Sequence, residues 1–204
     1  MSLCTCPVPA AIADLLTENP CPLRTSQIQK LIFWRKGNTI ATEADLILEA
    51  TWTTLLVAAD DTKAIVSPYV ANIEDTPGEA LESGSGNETK DGIPIYNGLE
   101  MTKITGRVNQ HPQSIILLMK ELSCEDLEVI FVNKYGYFIH DMDTDGTKVK
   151  GFDIYNFSIK DLQLGGLLNH DYNDFQFYMP ANWSDNLTIT DPTANFNALS
   201  LWNS

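Results

Sequence analysis

The chain is short of positive charge: 13 Lys and Arg stand against 27 Asp and Glu in 204 residues, a formal net charge of −14. So acidic a surface repels phosphate, which excludes ordinary gripping of nucleic acid and disfavours anionic membranes. No run is long and apolar enough to span a bilayer. Residues 1–24 lack the basic start and apolar run of a secretory signal, so synthesis in a cytosol is expected. The four cysteines, Cys4, Cys6, Cys21 and Cys124, contain no Cys-x-x-Cys pair. Cys4-Thr5-Cys6 with a distant fourth thiol is a poor zinc knuckle, and free thiols are the expectation. Histidine is scarce: His111, His140 and His170 form no metal-ligand pair on one helical face. There is no Gly-x-Ser-x-Gly nucleophile elbow. Gly84-Ser85-Gly86 lacks the Gly-Lys-Ser/Thr ending of a phosphate loop and reads as a hairpin tip.

Apolar residues make up 44% of the chain, with eight Phe, seven Tyr and four Trp. That is enough to bury a core and excludes wholesale disorder. Residues 1–24, with Cys6-Pro7-Val8-Pro9 and Asn19-Pro20-Cys21-Pro22, read as an N-terminal arm. Residues 25–204 read as a single β-rich domain. Ile28–Arg35 is strand-like, rich in β-branched and aromatic side chains. Thr42 is a helix N-cap followed by Glu43 and Asp45, and an apolar series predicts one helix to about Asp60, anchored by Trp52.

Short strands are expected at 64–67 and 69–71, then an extended, turn-rich loop over 74–98; loops of that length carry function or are disordered. A strand at Thr102–Val108 precedes a second helix opened by His111-Pro112, with Ile115, Ile116, Leu118, Met119 and Leu122 as its stripe. Leu127–Val132 reads as a buried strand. Gly136–His140, Lys148–Tyr155, Phe157–Leu162 and Phe175–Met179 follow, with a last strand near Thr190. The fold class is α+β: mainly an antiparallel β sandwich or barrel with two helices, a long loop and an arm.

Asp141-Met-Asp143-Thr-Asp145-Gly146 imitates the start of a calcium loop, with oxygens at alternate positions and a turn glycine. Phe152 stands where the closing bidentate Glu belongs, and Asp145-Gly146 is also a strong hairpin signal. No catalytic, cofactor-binding or metal-binding residue is assigned, no cofactor is expected, and the chain is read as not an enzyme. Alanine at His111, His140 and His170 is therefore expected to leave a structural role untouched, whereas loss of a defined turnover would point to a small hydrolase. Trp34, Trp52, Trp183 and Trp202 fit either a core or interface anchors.

A set of segments in fixed order carries a resemblance. It runs from Gln27-Ile28-Gln29-Lys30-Leu31-Ile32-Phe33 through the Trp52 segment and Asp60-Asp61-Thr62-Lys63. Then come Gly78-Glu79-Ala80, Gly86-Asn87-Glu88-Thr89 and Gly92-Ile93. It closes on Asn182-Trp183-Ser184-Asp185-Asn186-Leu187 and Phe196-Asn197-Ala198-Leu199. From about residue 20 onward the chain resembles virion structural proteins of tailed phages and prophages of Bacteroides-type gut bacteria, crAss-like phages included. The resemblance implies assembly in the tail, as in a tail tube, or in the neck rings below the portal. It implies as partners copies of itself in a ring, adjacent tail, neck or portal proteins, and DNA passing the lumen without specific binding, with no membrane. Tail tube, neck ring and head completion all remain open, and a receptor- or carbohydrate-binding module on the particle is the alternative. The acidity suits a channel that DNA leaves without sticking, or simple solubility.

Overall fold

The structure, a computed structural model, describes Thr25 and residues 27–84, 86–89, 92–193 and 195–203. The arm expected at 1–24, with Cys4, Cys6 and Cys21, lies outside the described residues. In chain order the elements are β1 (Ile28–Arg35), α1 (Glu43–Leu46), α2 (Glu49–Val57), β2 (Ile65–Val66), β3 (Val70–Thr76), β4 (Ala80–Ser83) and β5 (Ile95–Leu99). Then follow β6 (Thr102–Asn109), α3 (Gln113–Glu121), β7 (Leu127–Asn133), β8 (Phe138–Met142), β9 (Val149–Lys150), β10 (Phe152–Ile159), β11 (Tyr172–Met179) and β12 (Thr188–Thr190). The class is α+β with antiparallel strands in an open sandwich, not a closed barrel.

Strand β7 sits at the centre. Its sequence Leu-Glu-Val-Ile-Phe-Val-Asn is buried at every position, which an uninterrupted apolar run permits and an alternating one does not. β1 pairs along one edge of β7, from Ile28↔Asn133 to Arg35↔Leu127. On the other edge β8 takes the second half and β10 the first. β10 then leaves this layer: its second half pairs with β11, which pairs with β6, which pairs with β3. The switch falls at a register shift between Tyr155 and Ser158, where Asn156 has φ 53°. Asn tolerates this left-handed conformation better than most residues. The sequence suggested two strands here, and the structure has one strand bent at Asn156.

The second layer shows one-sided burial. β6 and β11 alternate buried and half-exposed along their whole length, as a sheet with one wet face requires. Between the layers Phe33, Phe131, Phe152, Phe157, Phe175 and Phe177 make one aromatic core, with Phe33 edge-on to Phe157 at 5.2 Å. α3 closes its end with Ile116, Met119 and, just beyond, Leu122, while Leu118, expected in the stripe, is exposed.

The outer face of the β1–β7 layer is covered by α1, α2 and the C-terminal segment. A column of near-parallel rings runs through this second core: Trp34 to Trp52 at 6.4 Å, Trp52 to Phe138 at 5.4 Å and Phe138 to Phe196 at 6.3 Å. The column explains why the single helix expected over 42–60 is two. The Trp52 indole Nε1–H donates to the Leu46 carbonyl at 2.8 Å. In a continuous helix that acceptor would serve the amide of Ala50. Leu48 is extended instead and α2 starts afresh. The edge of the layer is blunted by Asn203: its Oδ1 accepts from the Val66 amide at 2.8 Å and its Nδ2 donates to the Val66 carbonyl at 2.7 Å. The side chain thus stands in for a further strand.

Removing the middle ring of the column leaves a cavity that the neighbouring rings cannot fill. Trp52→Ala should lower the unfolding free energy by about 3–5 kcal/mol, read as a lower urea midpoint at unchanged slope. A loss below about 1 kcal/mol would show that the column does not hold the outer core.

Candidate functional site

Among the described residues three titratable groups lie inside the molecule, and each is tied to backbone or to a neutral donor. Glu128 on β7 accepts from the Trp34 indole at 3.0 Å, the Gly37 amide at 3.0 Å and the Gly151 amide at 3.1 Å. Burial pushes its carboxyl upward, against the pull of those donors. Gly151 is required by close approach: a Cβ there would lie 2.8 Å from the Glu128 Cβ and 2.9 Å from the Val129 amide nitrogen. Lys30 on β1 donates to the Leu199 carbonyl at 2.8 Å and the Leu201 carbonyl at 2.6 Å. Its ammonium also lies 3.8 Å from the Trp202 ring centre and 4.9 Å from that of Tyr69. This lysine therefore ties the C-terminal segment onto β1. The sequence placed Lys30 in a strand, and nothing in it marked the side chain as internal.

His140 on β8 is the third. Its Nδ1 meets the Asp141 carbonyl at 3.0 Å and its Nε2 meets the Thr190 hydroxyl at 2.8 Å. A carbonyl only accepts, so Nδ1 carries the proton and Nε2 accepts from Thr190. Burial holds its pKa below the usual histidine value. His111, before α3, is half-buried, and His170 is exposed. His140→Ala would remove both ring hydrogen bonds and leave the Thr190 hydroxyl only its 3.4 Å contact with Glu43, at a cost of about 1–3 kcal/mol.

The Asp141–Gly146 segment is a hairpin turn between β8 and β9. Asp143 Oδ1 accepts from the Thr147 amide at 2.7 Å and the Lys148 amide at 3.0 Å, and Asp141 pairs with Lys150 at 2.9 Å. Among the described residues no group of three or more His, Cys, Asp or Glu is arranged to hold a metal ion. Cys124 is a free, exposed thiol. Where β1, β3, β6 and β8 part, a cleft of about 360 Å³ opens, lined by Ile28, Ile73, Ile104, Phe131, Ile139 and Trp183. Its one charged lining group is Asp75, so it presents no acid–base pair.

The 74–98 stretch holds the feature that burial does not explain. β3 runs on to Thr76, and β4 and β5 then form a two-stranded hairpin that pairs with no strand of the larger sheet among the described residues. The register puts Leu81 opposite Gly98 and Ser83 opposite Ile95; Ala80 faces Leu99 and Glu82 faces Tyr96. Opposed residues share a face. One face therefore carries Leu81 and Ile95, the other Ala80, Tyr96 and Leu99. Ile95 is 57% exposed and Tyr96 61%, with Ile93 and Met101 exposed beside them. Exposed Glu79, Glu82, Glu88 and Glu100 rim these apolar faces. An isolated two-stranded hairpin is marginal in water, and apolar side chains on both of its faces call for a surface to pack against.

Burial lowers the Lys30 ammonium from 10.5 to about 8. Between those values the unfolded chain binds more protons than the folded one, so this residue makes stability rise with pH. Relative to Lys30→Met, the wild type should gain stability from pH 8 to 10.5. A difference that stays constant across that window, measured by urea unfolding, contradicts the burial of the charge.

No protein-family model and no curated protein matches the chain. Among solved structures it is similar to the tail of an empty gene transfer agent particle refined with C6 symmetry, at TM-score 0.34 and 12% identity, covering 61% of this chain and 87% of that one. It is similar to a chain of the native gene transfer agent virion, at TM-score 0.31 and 14% identity, covering 58% and 81%. It is also similar to a chain of the six-fold symmetrised anti-feeding prophage baseplate, at TM-score 0.37 and 8% identity, covering 84% and 97%. Likenesses of this extent do not place the chain in a family.

Proposed function

We propose that the chain is a non-enzymatic structural subunit of a tailed-phage virion, assembling into a ring or tube in the tail or neck through which DNA passes. The observation that carries this reading is the β4–β5 hairpin, which exposes apolar side chains on both faces and, among the described residues, pairs with no strand of the larger sheet. A lone subunit gains nothing from such an element, whereas a neighbouring subunit can bury it. The segments quoted for the phage resemblance include the entry to β4, at Gly78-Glu79-Ala80, and the approach to β5, at Gly92-Ile93.

Burial of tryptophan within the subunit counts against a carbohydrate site at the Asp141–Asp145 turn, while the exposed rings are Tyr69, Tyr96, Tyr135, Tyr155 and Trp202 among the described residues. A sugar site wants exposed rings beside the acidic Asp141–Asp145 turn. Trp34 and Trp52 are instead buried, and Trp183 is packed edge-on to Phe152 at 5.2 Å. Tyr69 and Trp202 are exposed, and they flank the ammonium of Lys30.

The acidity bears on which surface lines a channel. The open face of the β6–β11 layer is mixed: Lys103, Arg107 and Asp174 share it, and Arg107 pairs with Asp174 at 3.3 Å. The hairpin and the strand end that leads to it are acidic, with Glu74, Asp75, Glu79, Glu82, Glu88 and Glu100 exposed. Under this proposal the strand end with Glu74 and Asp75, beside the hairpin that a neighbour covers, is turned towards passing DNA, where like charge prevents sticking.

The test is the mass of the purified protein by light scattering over a concentration series, followed by negative-stain imaging. Closed rings or stacked tubes are expected, and Ile95→Ser with Tyr96→Ser should abolish them while moving monomer stability by no more than about 0.5 kcal/mol. A double variant that assembles like wild type would overturn the role of the hairpin.

A further inference from the structure

A second apolar surface lies at the other end of the same sheet. The loop 160–171 joins β10 to β11, and its leucines point outward: Leu164 is 81% exposed, Leu167 103% and Leu168 94%. Leu162 is exposed as well, and so are Leu117 and Leu118 on α3. Lys120 of α3 pairs with Asp161 at 2.6 Å, and Leu117 lies one helical turn from Lys120. The outer side of the helix and the loop thus adjoin.

The loop is built, not slack. Gln163 and Tyr172 exchange backbone hydrogen bonds at 2.8 and 3.0 Å, and the Tyr172 hydroxyl donates to Gln163 Oε1 at 2.8 Å. Gln163 Nε2 donates to Asp174 at 2.9 Å, and the Gly165 amide donates to Asp171 Oδ1 at 2.8 Å. The tip folds back so tightly that a Cβ on Gly165 would stand 2.3 Å from the Asn169 carbonyl oxygen. A loop fixed in this way presents its leucines without the ordering cost that weakens most flexible contacts.

The register gives the positions. Tyr172 pairs with Asn109 at one end of β6, and Met179 pairs with Thr102 at the other. The leucine loop enters at the Tyr172 end, and the β4–β5 hairpin is joined to the Thr102 end. β6 has eight residues, so the two elements are separated by about 23 Å of strand. They cannot satisfy one another within one chain.

We propose that the leucine loop, with Leu117 and Leu118, is the docking surface for the β4–β5 hairpin of a second copy of this chain. The contact is head-to-tail, along the strand direction of the β3–β6–β11 layer, and it deepens the assembly reading above, on which it rests. The areas are of the order an interface needs. At roughly 100 Å² of apolar surface per fully exposed large side chain, scaled by their exposures, the leucine end offers about 400 Å² and the hairpin about 300 Å² over its two faces. A standard interface of about 800 Å² per partner is a little over half apolar. Different patches meet in such a contact, so it propagates into a filament or closes into a ring.

A complementation experiment tests it. The hairpin variant Ile95→Ser/Tyr96→Ser and the loop variant Leu167→Ser/Leu168→Ser each keep one good end. Each alone should be monomeric by sedimentation, with its dissociation constant raised roughly tenfold or more and its urea midpoint unchanged. Mixed at equal concentration they should form a 1:1 dimer that grows no further. Assembly of the loop variant at wild-type strength overturns this contact and leaves the assembly reading standing. Dimers of the hairpin variant by itself point to a leucine-to-leucine contact and overturn it as well. A wild type that stays monomeric throughout overturns both the contact and self-assembly.

Discussion

The rest of the structure depends on burying one strand on both of its faces. Every residue of β7, from Leu127 to Asn133, is shielded from solvent. Val129 and Phe131 face the aromatic core between the layers; Ile130 and Val132 face the core under the helices. Two hydrophobic cores therefore share a single strand as their wall. That requires β1 along one edge, β8 and β10 on the other, and the bend at Asn156 that carries β10 into the second layer. It also requires internal partners for the polar residues of the wall. Glu128 finds three donors, and Asn133 Oδ1 accepts the amides of Tyr135 and Tyr137, while Asn133 Nδ2 is left without a partner among the described residues.

This arrangement divides the chain into a body and its attachments. The body closes its own edges with devices such as the Asn203–Val66 pairing and the Lys30 tie to the C-terminal carbonyls. The attachments lie at the two ends of the β3–β6–β11 layer, the hairpin at one and the leucine loop at the other. A rigid sheet between them fixes their separation. That is the geometry an assembling subunit needs, since repeat spacing in a ring or stack is set by the distance between complementary patches.

Much of the body was legible in the sequence. Leu127–Val132 could be read as a buried strand because its apolar run is uninterrupted, and Thr102–Val108 as a half-buried one because it alternates. The helix over 42–60 was misread because helical periodicity does not register that an indole will take a main-chain acceptor. The chain between 148 and 162 gave two strands because Asn156 interrupts the apolar pattern, and the pattern carries no sign that pairing continues past it. Lys30, Glu128 and His140 look like ordinary strand polar residues; apart from Asp141 beside His140, their partners lie 23 to 171 residues away. The 74–98 stretch was read as one long loop because its turn residues dominate the pattern; it holds instead the end of β3 and most of a two-stranded hairpin. The leucine loop passed unnoticed, since Leu-Gly-Gly-Leu-Leu gives no indication of which way its side chains will point.

The most direct test of the account is amide hydrogen exchange on the hairpin, compared between monomer and assembled particle. In the monomer the amides of Ala80–Leu99 should exchange at close to unprotected rates while those of β7 exchange only on global unfolding. In the particle both should be protected, because a neighbour has covered the hairpin. A hairpin as protected as β7 in the monomer, or one still unprotected in the particle, would contradict the claim that a neighbouring copy buries it.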